Sequence, residues 1–255
     1  MSSVMEIVYC RLSVIPVRKE PSDRSEMVSQ MIFGETAEVQ DSNEKWLMIR
    51  MQHDQYEGWV DRKQVKMTTA KVENPSRILQ SLFYQHKHTD LNLIMPAGSM
   101  IRESDSIKQN DQDLKTIQPG HPGRGMEVVE NMASMFLNTP YLWGGRTFMG
   151  IDCSGLTQIV MRLCGVSLLR DAWQQAEQGI PIAFIEESQS GDLAFFDNAD
   201  GRITHVGIVI RNKTGEIEII HASGKVRRDL LDHQGIFDRE QGIYTHKLRI
   251  IKRII

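Results

Sequence analysis

Three side chains in the C-terminal half of this 255-residue chain have the types and settings needed for nucleophilic chemistry: Cys153, His205 and His221. Cys153 lies in Tyr141-Leu-Trp-Gly-Gly-Arg-Thr-Phe-Met-Gly-Ile-Asp-Cys-Ser-Gly-Leu, between a glycine-rich turn and the start of a predicted helix. A helix N-terminus presents unbonded N–H groups and partial positive charge, which lower a thiol pKa and offer donors to an oxyanion. The position therefore suits a thiolate nucleophile. A cysteine is also commonly a small buried hydrophobe. Against that stand two polar neighbours, Asp152 and Ser154.

A cysteine nucleophile needs a base, and the base needs a group to orient it. His205 opens His-Val-Gly-Ile-Val-Ile, a predicted strand, and His221 ends the next, Glu216-Ile-Glu-Ile-Ile-His. The loop Asn212 to Gly215 between them reads as a hairpin turn. Antiparallel pairing then brings the start of one strand beside the end of the other, so the two histidines become neighbours. A lone strand histidine is ordinarily a structural hydrogen-bonder; the paired placement argues for more. Zinc held by Cys153, His205 and His221 is the competing reading, but no short-spaced ligand pair supports it. The run Gln85-His-Lys-His reads as a solvated loop rather than a metal site, and no cofactor is implied.

The helix that would carry Cys153 is legible. Leu156, Ile159, Val160, Leu163 and Cys164 fall at i, i+3, i+4, i+7 and i+8, and Gly165 supplies a stop. On this reading Cys153 occupies the solvent-facing end and Cys164 the core. Cys10 begins a strand-like segment with no evident partner. A second helix is predicted over Met126 to Leu137, with Val128, Val129, Met132, Met135 and Phe136 on its buried face.

From about Arg124 onward the chain resembles the NlpC-type cell-wall peptidases, papain-like cysteine enzymes that cut bacterial peptidoglycan stem peptides. The residues that carry the resemblance are Tyr141-Leu-Trp-Gly-Gly, Asp152-Cys-Ser-Gly, Gly191-Asp-Leu-Ala-Phe-Phe and His205-Val-Gly-Ile-Val, in that order. It implies Cys153 as nucleophile, His205 as base and His221 as the residue that orients the imidazole. Tyr141, Trp143, Asp152 and Ser154 become substrate-pocket residues. Asp171, in Arg170-Asp-Ala-Trp-Gln-Gln-Ala, joins them. Attack by Cys153 on an amide carbonyl gives an oxyanion facing the helix N–H groups, with Tyr141 as a second donor, and a thioester that water hydrolyses.

The first part of the chain is all-β in character, with short segments at Met27 to Phe33, Thr36 to Gln40, Trp46 to Met51 and Gly58 to Val60. Val17-Arg-Lys-Glu-Pro, Ser25-Glu-Met-Val-Ser-Gln, Phe33-Gly-Glu and Tyr56-Glu-Gly-Trp-Val resemble a bacterial SH3-like domain. Strands at Leu91 to Met95 and Gly98 to Arg102 suggest a second such unit, and Gln118-Pro-Gly-His-Pro-Gly-Arg-Gly a linker. The expected architecture is α+β. A papain-like catalytic domain over 121–255, helices packed on an antiparallel sheet, follows an SH3-like barrel over 1–67 and a second unit or linker over 68–120. In relatives with this arrangement the barrel selects peptides with a free N-terminus, which makes Glu26 and Tyr56 candidates for the amine, with Glu35 as a substitute.

Net charge is only −3 and the hydrophobic share is 40%, ordinary for a globular protein. The clusters Lys225-Val-Arg-Arg and Lys247 to Arg253 read as solvated positions around strands, which argues against a nucleic-acid partner. No run approaches a membrane span, and the N-terminus shows no leader-like apolar stretch. The expected location is therefore cytoplasmic, with an exported protein as the alternative. The expected function is hydrolysis of the γ-D-glutamyl–diamino acid amide of murein peptides during wall recycling. A wall-binding module with a vestigial site, or an acyltransferase or amidase on the same scaffold, are the alternatives.

Overall fold

The structure is a computed structural model that describes residues 6–68, 72–88, 91–105, 107, 114–120, 126–212 and 214–254. The chain forms two compact units: Met1–His121 with Trp143–Phe148, and Pro122–Leu142 with Met149–Ile255.

The first unit opens with β1 (Ile7–Cys10), β2 (Val14–Arg18), β3 (Met27–Ile32), β4 (Thr36–Ser42), β5 (Trp46–Met51), β6 (Glu57–Asp61) and β7 (Val65–Thr68). They form one antiparallel sheet in the order β3-β2-β6-β5-β4-β1-β7. Period-two alternation puts one face inside. Ile15 and Val17 of β2, with Leu47, Ile49 and Met51 of β5, join Val8, Met31, Ala37 and Val60 in a closed core. Cys10 closes β1 rather than opening a strand, and it is fully buried in that core.

Residues 77–117 contribute β8 (Arg77–Leu79), β9 (Phe83–His88), β10 (Leu91–Pro96), β11 (Met100–Ile101) and β12 (Thr116–Ile117). β9 pairs with β10, and β8 lies between β11 and β12. Their core of Leu79, Tyr84, Leu93, Met95, Ile101, Ile107 and Leu114 also takes in Phe33. This segment thus shares one unit with the barrel. Gln85–His88 is part of β9, not a loop: Gln85 pairs with Ile94 and His86 with Leu93. Alternation of Tyr84 inward and Gln85 outward is the signal that identifies the strand. Of the expected linker, Pro119 and Gly120 form a turn and 121–125 lie outside the described residues. The two-residue strand β13 (Arg146–Thr147) completes this unit.

The second unit begins with α1 (Met126–Ser134); the expected extension to Leu137 is a turn instead, closed by Asn138 at φ 67°. β14 (Gly150–Ile151) leads into α2 (Cys153–Leu163), and a one-turn α3 (Ala172–Gln175) follows. The sheet comprises β15 (Ile180–Ile182), β16 (Leu193–Asp197), β17 (Ile203–Arg211), β18 (Ile217–Ser223), β19 (Lys225–Leu231), β20 (Gly235–Asp238) and β21 (Ile243–Arg253). Its order is β15-β21-β16-β17-β18-β19-β20, and β20 also pairs with β21, so six of the strands close on themselves. Ala194, Phe196, Val209, Ile219, Leu231, Ile236 and Ile251 form the core of that ring. α2 packs against β17 and β18.

Candidate active site

α2 starts at Cys153 because Asp152, in an extended conformation, caps it and accepts the Gly155 N–H at 2.7 Å. At the other end Gly165 adopts φ 81°, as the sequence predicts. Every residue of α2 is buried, Cys153 included at 6% exposure. The expectation of a solvent-facing cysteine is therefore corrected: its helix end is covered. Its thiol is hydrogen-bonded by the backbone N–H groups of Val206 and Ser154, and Val206 is the neighbour of His205 in β17.

Burial also overturns the expected lowered thiol pKa. Loss of solvent, reinforced by the Asp152 carboxylate, pushes Cys153 up to about 12, and these outweigh the two N–H groups and Arg170. Cys164 is raised as well, to about 11, by burial alone. His205 is held well below its ordinary value, first by burial and then by His221 and His246. The resting pair is a neutral thiol and a neutral imidazole.

β17 and β18 pair in the register Gly207↔His221, which sets His205 and His221 diagonally on one face, two residues apart in register. His205 Nε2 lies 2.9 Å from His221 Nδ1, and both rings are buried. His221 Nε2 lies 3.0 Å from Asp229 Oδ2 on β19. Arg227 in turn donates through Nη2 to Asp229 Oδ1 at 3.0 Å and to Asp238 at 2.8 Å. His246 of β21 stacks over His205 with ring centroids 4.2 Å apart. Sequence reasoning missed Asp229, Arg227 and His246. The Lys225-Val-Arg-Arg cluster is corrected accordingly: Arg227 is inward-facing and ion-paired, and Arg228 pairs with Glu130 and Glu218. The parity of Arg227, Asp229 and Leu231 along β19 was the available signal.

The expected pocket residues divide. Tyr141 is half-buried, bridges to Ile151, and lies in electrostatic range of Cys153 and Asp152. Burial first, then the neighbouring Cys153 sulfur and Asp152 carboxylate, raise its phenol to about 12, so it stays a donor at neutral pH. Asp152 and Ser154 point into a buried network instead of into an open pocket. Arg170, 1% exposed, donates to Asp152 Oδ2 at 2.6 Å, to Asp152 Oδ1 at 3.1 Å and to Ser154 Oγ at 2.8 Å. Thr157 donates to Gln175 at 2.7 Å and Gln175 to the Ser154 carbonyl at 3.0 Å, which docks α3 on the start of α2. Asp171 is the N-cap of α3, its N–H bonded to Gln174.

Within the first unit, Glu26 is exposed and accepts the Trp143 indole N–H at 2.7 Å. Tyr56 is half-buried against the barrel core. Glu35 is corrected as an amine ligand: it is fully buried and forks onto Arg146 at 2.9 and 2.8 Å while accepting the Ile32 N–H. Arg146 also donates to the Gln30 carbonyl at 2.6 Å. The first glycine of the Trp143-Gly-Gly turn serves this unit: Gly144 has φ +74°, and a Cβ there would sit 2.4 Å from the Met27 carbonyl oxygen. Among the described residues no group of three or more His, Cys, Asp or Glu side chains is arranged to hold a metal ion.

A cysteine at a capped helix start beside a buried His–His–Asp line is the arrangement of a cysteine hydrolase, and comparison with known proteins agrees. Residues 138–244 match the NlpC/P60 family, and residues 17–65 match the bacterial dipeptidyl-peptidase SH3 domain. A gamma-D-glutamyl-L-lysine dipeptidyl-peptidase of Bacillus cereus is 25% identical over 235 residues, covering 79% of this chain and 68% of the relative. Dipeptidyl-peptidase 6 of Lysinibacillus sphaericus is 27% identical over 251 residues, covering 84% and 88%. In fold, the crystal structure of an NlpC/P60 family protein from Bacillus cereus superposes with a TM-score of 0.77 at 18% identity, covering 97% of this chain and 99% of that one. The chain thus carries an NlpC/P60 domain with a bacterial dipeptidyl-peptidase SH3 domain ahead of it.

Proposed function

We propose that this enzyme hydrolyses the amide between γ-linked D-glutamate and the diamino acid of murein peptides, releasing a dipeptide from substrates with a free N-terminus. Cys153 is the nucleophile, His205 the base and His221 its orienter. The observation that carries the reading is the buried His205–His221–Asp229 line, whose strand neighbour Val206 gives its backbone N–H to the Cys153 sulfur at the start of α2. The bond follows from relatives whose names specify γ-D-glutamyl-L-lysine dipeptidyl-peptidase activity.

In this scheme His205 takes the thiol proton as the sulfur attacks the carbonyl, because neither group is ionised at rest. Negative charge develops on the carbonyl oxygen, which the N–H groups at the start of α2 and the Tyr141 hydroxyl stabilise. His205 then protonates the leaving amine, and water hydrolyses the thioester. A wall-recycling role in the cytoplasm fits a substrate of free fragments and three cysteines that form no disulfide.

The test is mass spectrometry of L-Ala-γ-D-Glu-meso-diaminopimelate incubated with wild type and with Cys153→Ala. Release of L-Ala-γ-D-Glu by wild type alone is expected, with N-acetylation of the peptide abolishing it. An intact peptide in both reactions would reject the assignment and favour the acyltransferase or binding-module readings.

A further inference from the structure

We propose that Asp229 is a positioning residue that fixes the tautomers of both histidines, so that His205 presents an unprotonated Nδ1 to the Cys153 thiol. The inference rests on the peptidase reading for its catalytic meaning, but its structural content stands on the geometry alone.

The argument runs outward from the carboxylate. Asp229 has only 2% side-chain exposure, and Arg227 brackets its carboxylate, with Nε 2.6 Å from Oδ2, the oxygen that His221 also meets, and Nη2 3.0 Å from Oδ1. Burial raises its pKa, but the hydrogen bonds from His221 and Arg227 and the Arg227 charge win and keep it ionised. An ionised carboxylate only accepts hydrogen bonds. The 3.0 Å contact therefore requires a proton on His221 Nε2. In neutral His221 that leaves Nδ1 as an acceptor. Across 2.9 Å it faces His205 Nε2, which must then be the donor. Neutral His205 consequently carries its lone pair on Nδ1, the nitrogen left for the thiol beside Val206.

Each link has one polarity, and Asp229 is the group that sets it. The other charged or titratable groups around the line do not compete for the role. His246 stacks on the face of His205, and its Nδ1 lies 2.9 Å from Thr245 Oγ1. Asp238 bonds Arg227 and the backbone N–H groups of Glu240 and Gln241. Glu218 bonds Arg228 and Arg239. The Arg239 backbone N–H reaches Asp229 Oδ1 at 3.4 Å, adding a second donor on the side away from His221.

Asp229→Asn is the discriminating substitution, because an amide of the same shape can donate where the carboxylate only accepts. Donation to His221 Nε2 would reverse every link and place a proton on His205 Nδ1, facing the thiol. Expected is a fall in kcat of about 10²–10⁴-fold with KM changed by less than about threefold, the pattern of a wrong tautomer in an intact site. Asp229→Glu, which restores an acceptor, should recover part of kcat.

Nitrogen-15 NMR of histidine-labelled wild type at neutral pH provides a readout that needs neither substrate nor variant. Protonated Nε2 and bare Nδ1 on both His205 and His221 are expected; a protonated Nδ1 on His205 would overturn the proposal. So would Asp229→Asn with wild-type kcat and pH profile. If wild type cleaves no peptide, the peptidase reading fails while the NMR pattern still decides the tautomers. If Asp229→Asn does not fold, the wild-type spectrum decides alone.

Discussion

Gly207 lies directly across β17 and β18 from His221, and a Cβ at Gly207 would come within 2.9 Å of the His221 Cβ and 2.6 Å of Ile219 Cδ1. The glycine in His-Val-Gly-Ile-Val is thus a spacing element between the two histidines, two residues after His205 and directly opposite His221. Only the absence of a side chain lets the His221 ring lean toward His205.

Gly207→Ala should accordingly weaken the His205–His221 contact more than it weakens the fold. The strand has ordinary φ at this position, so the added methyl acts by collision rather than backbone strain. A displacement of a catalytic ring by about 1 Å costs on the order of 10²-fold in rate. Steady-state kinetics beside a thermal melt checks it: kcat should fall about that far while Tm drops only a few degrees, and an unchanged kcat would dismiss the spacing role.

Cys153→Ala should abolish turnover with the fold intact. The raised thiol pKa adds a chemical signature: alkylation of wild type by iodoacetamide should be slow at neutral pH and accelerate as pH rises, because the thiolate is scarce until base is added. A thiolate–imidazolium pair would instead label rapidly and with little pH dependence down to about pH 5. The pH profile of single-site labelling, followed by intact mass, separates the two.

Arg146→Ala should destabilise the first unit by about 3–5 kcal/mol, since it leaves the fully buried Glu35 carboxylate without its forked partner. Replacing both with apolar residues, Arg146→Met and Glu35→Leu, should cost much less than the single change. Chemical denaturation of the three proteins makes the comparison. Equal losses in the single and double variants would show that the ion pair is not what holds the segment.

Acid should destabilise the protein in two stages. His205 is held well below its ordinary value and His246 is lowered to about 4, both first by burial. Groups whose folded pKa is depressed bind protons more readily when unfolded, so their contribution is complete above the unfolded value near 6.5 and declines below it. Asp54 and Asp229 are depressed carboxylates: burial opposes ionisation, but His53 and Arg146 in one case, and His221 and Arg227 in the other, outweigh it. Their contribution is complete above about pH 4 and is lost below it. Tm should therefore begin to fall between about pH 6.5 and 5, and fall again below about 4. His205→Gln should flatten the first decline, and a Tm constant down to pH 5 would contradict the burial of neutral histidines.

Much of the site was written in local pattern. The 3.6-residue period of Leu156, Ile159, Val160 and Leu163, the cap at Asp152 and the stop at Gly165 define α2 and the place of Cys153 with no knowledge of the rest. The hairpin signal at Asn212 to Gly215 pairs β17 with β18 and so brings His205 and His221 together. Periodicity and turn chemistry act over a few residues, which is why the sequence determines them.

Tertiary structure decided what lies at the far ends of these elements. Arg170 closes on Asp152 from 18 residues away, Arg146 forks onto Glu35 from 111, and Asp229 reaches His221 only because β19 is the next strand of a sheet that curls shut. Packing likewise removes Cys153 from solvent and, with Asp152 beside it, turns its expected low pKa into a high one. Charge in a sequence carries no depth. Whether a carboxylate is a solvated surface group, a ligand for substrate or the buried partner of an arginine depends on the dielectric and the donors that packing places around it, and those come from parts of the chain that no local pattern connects.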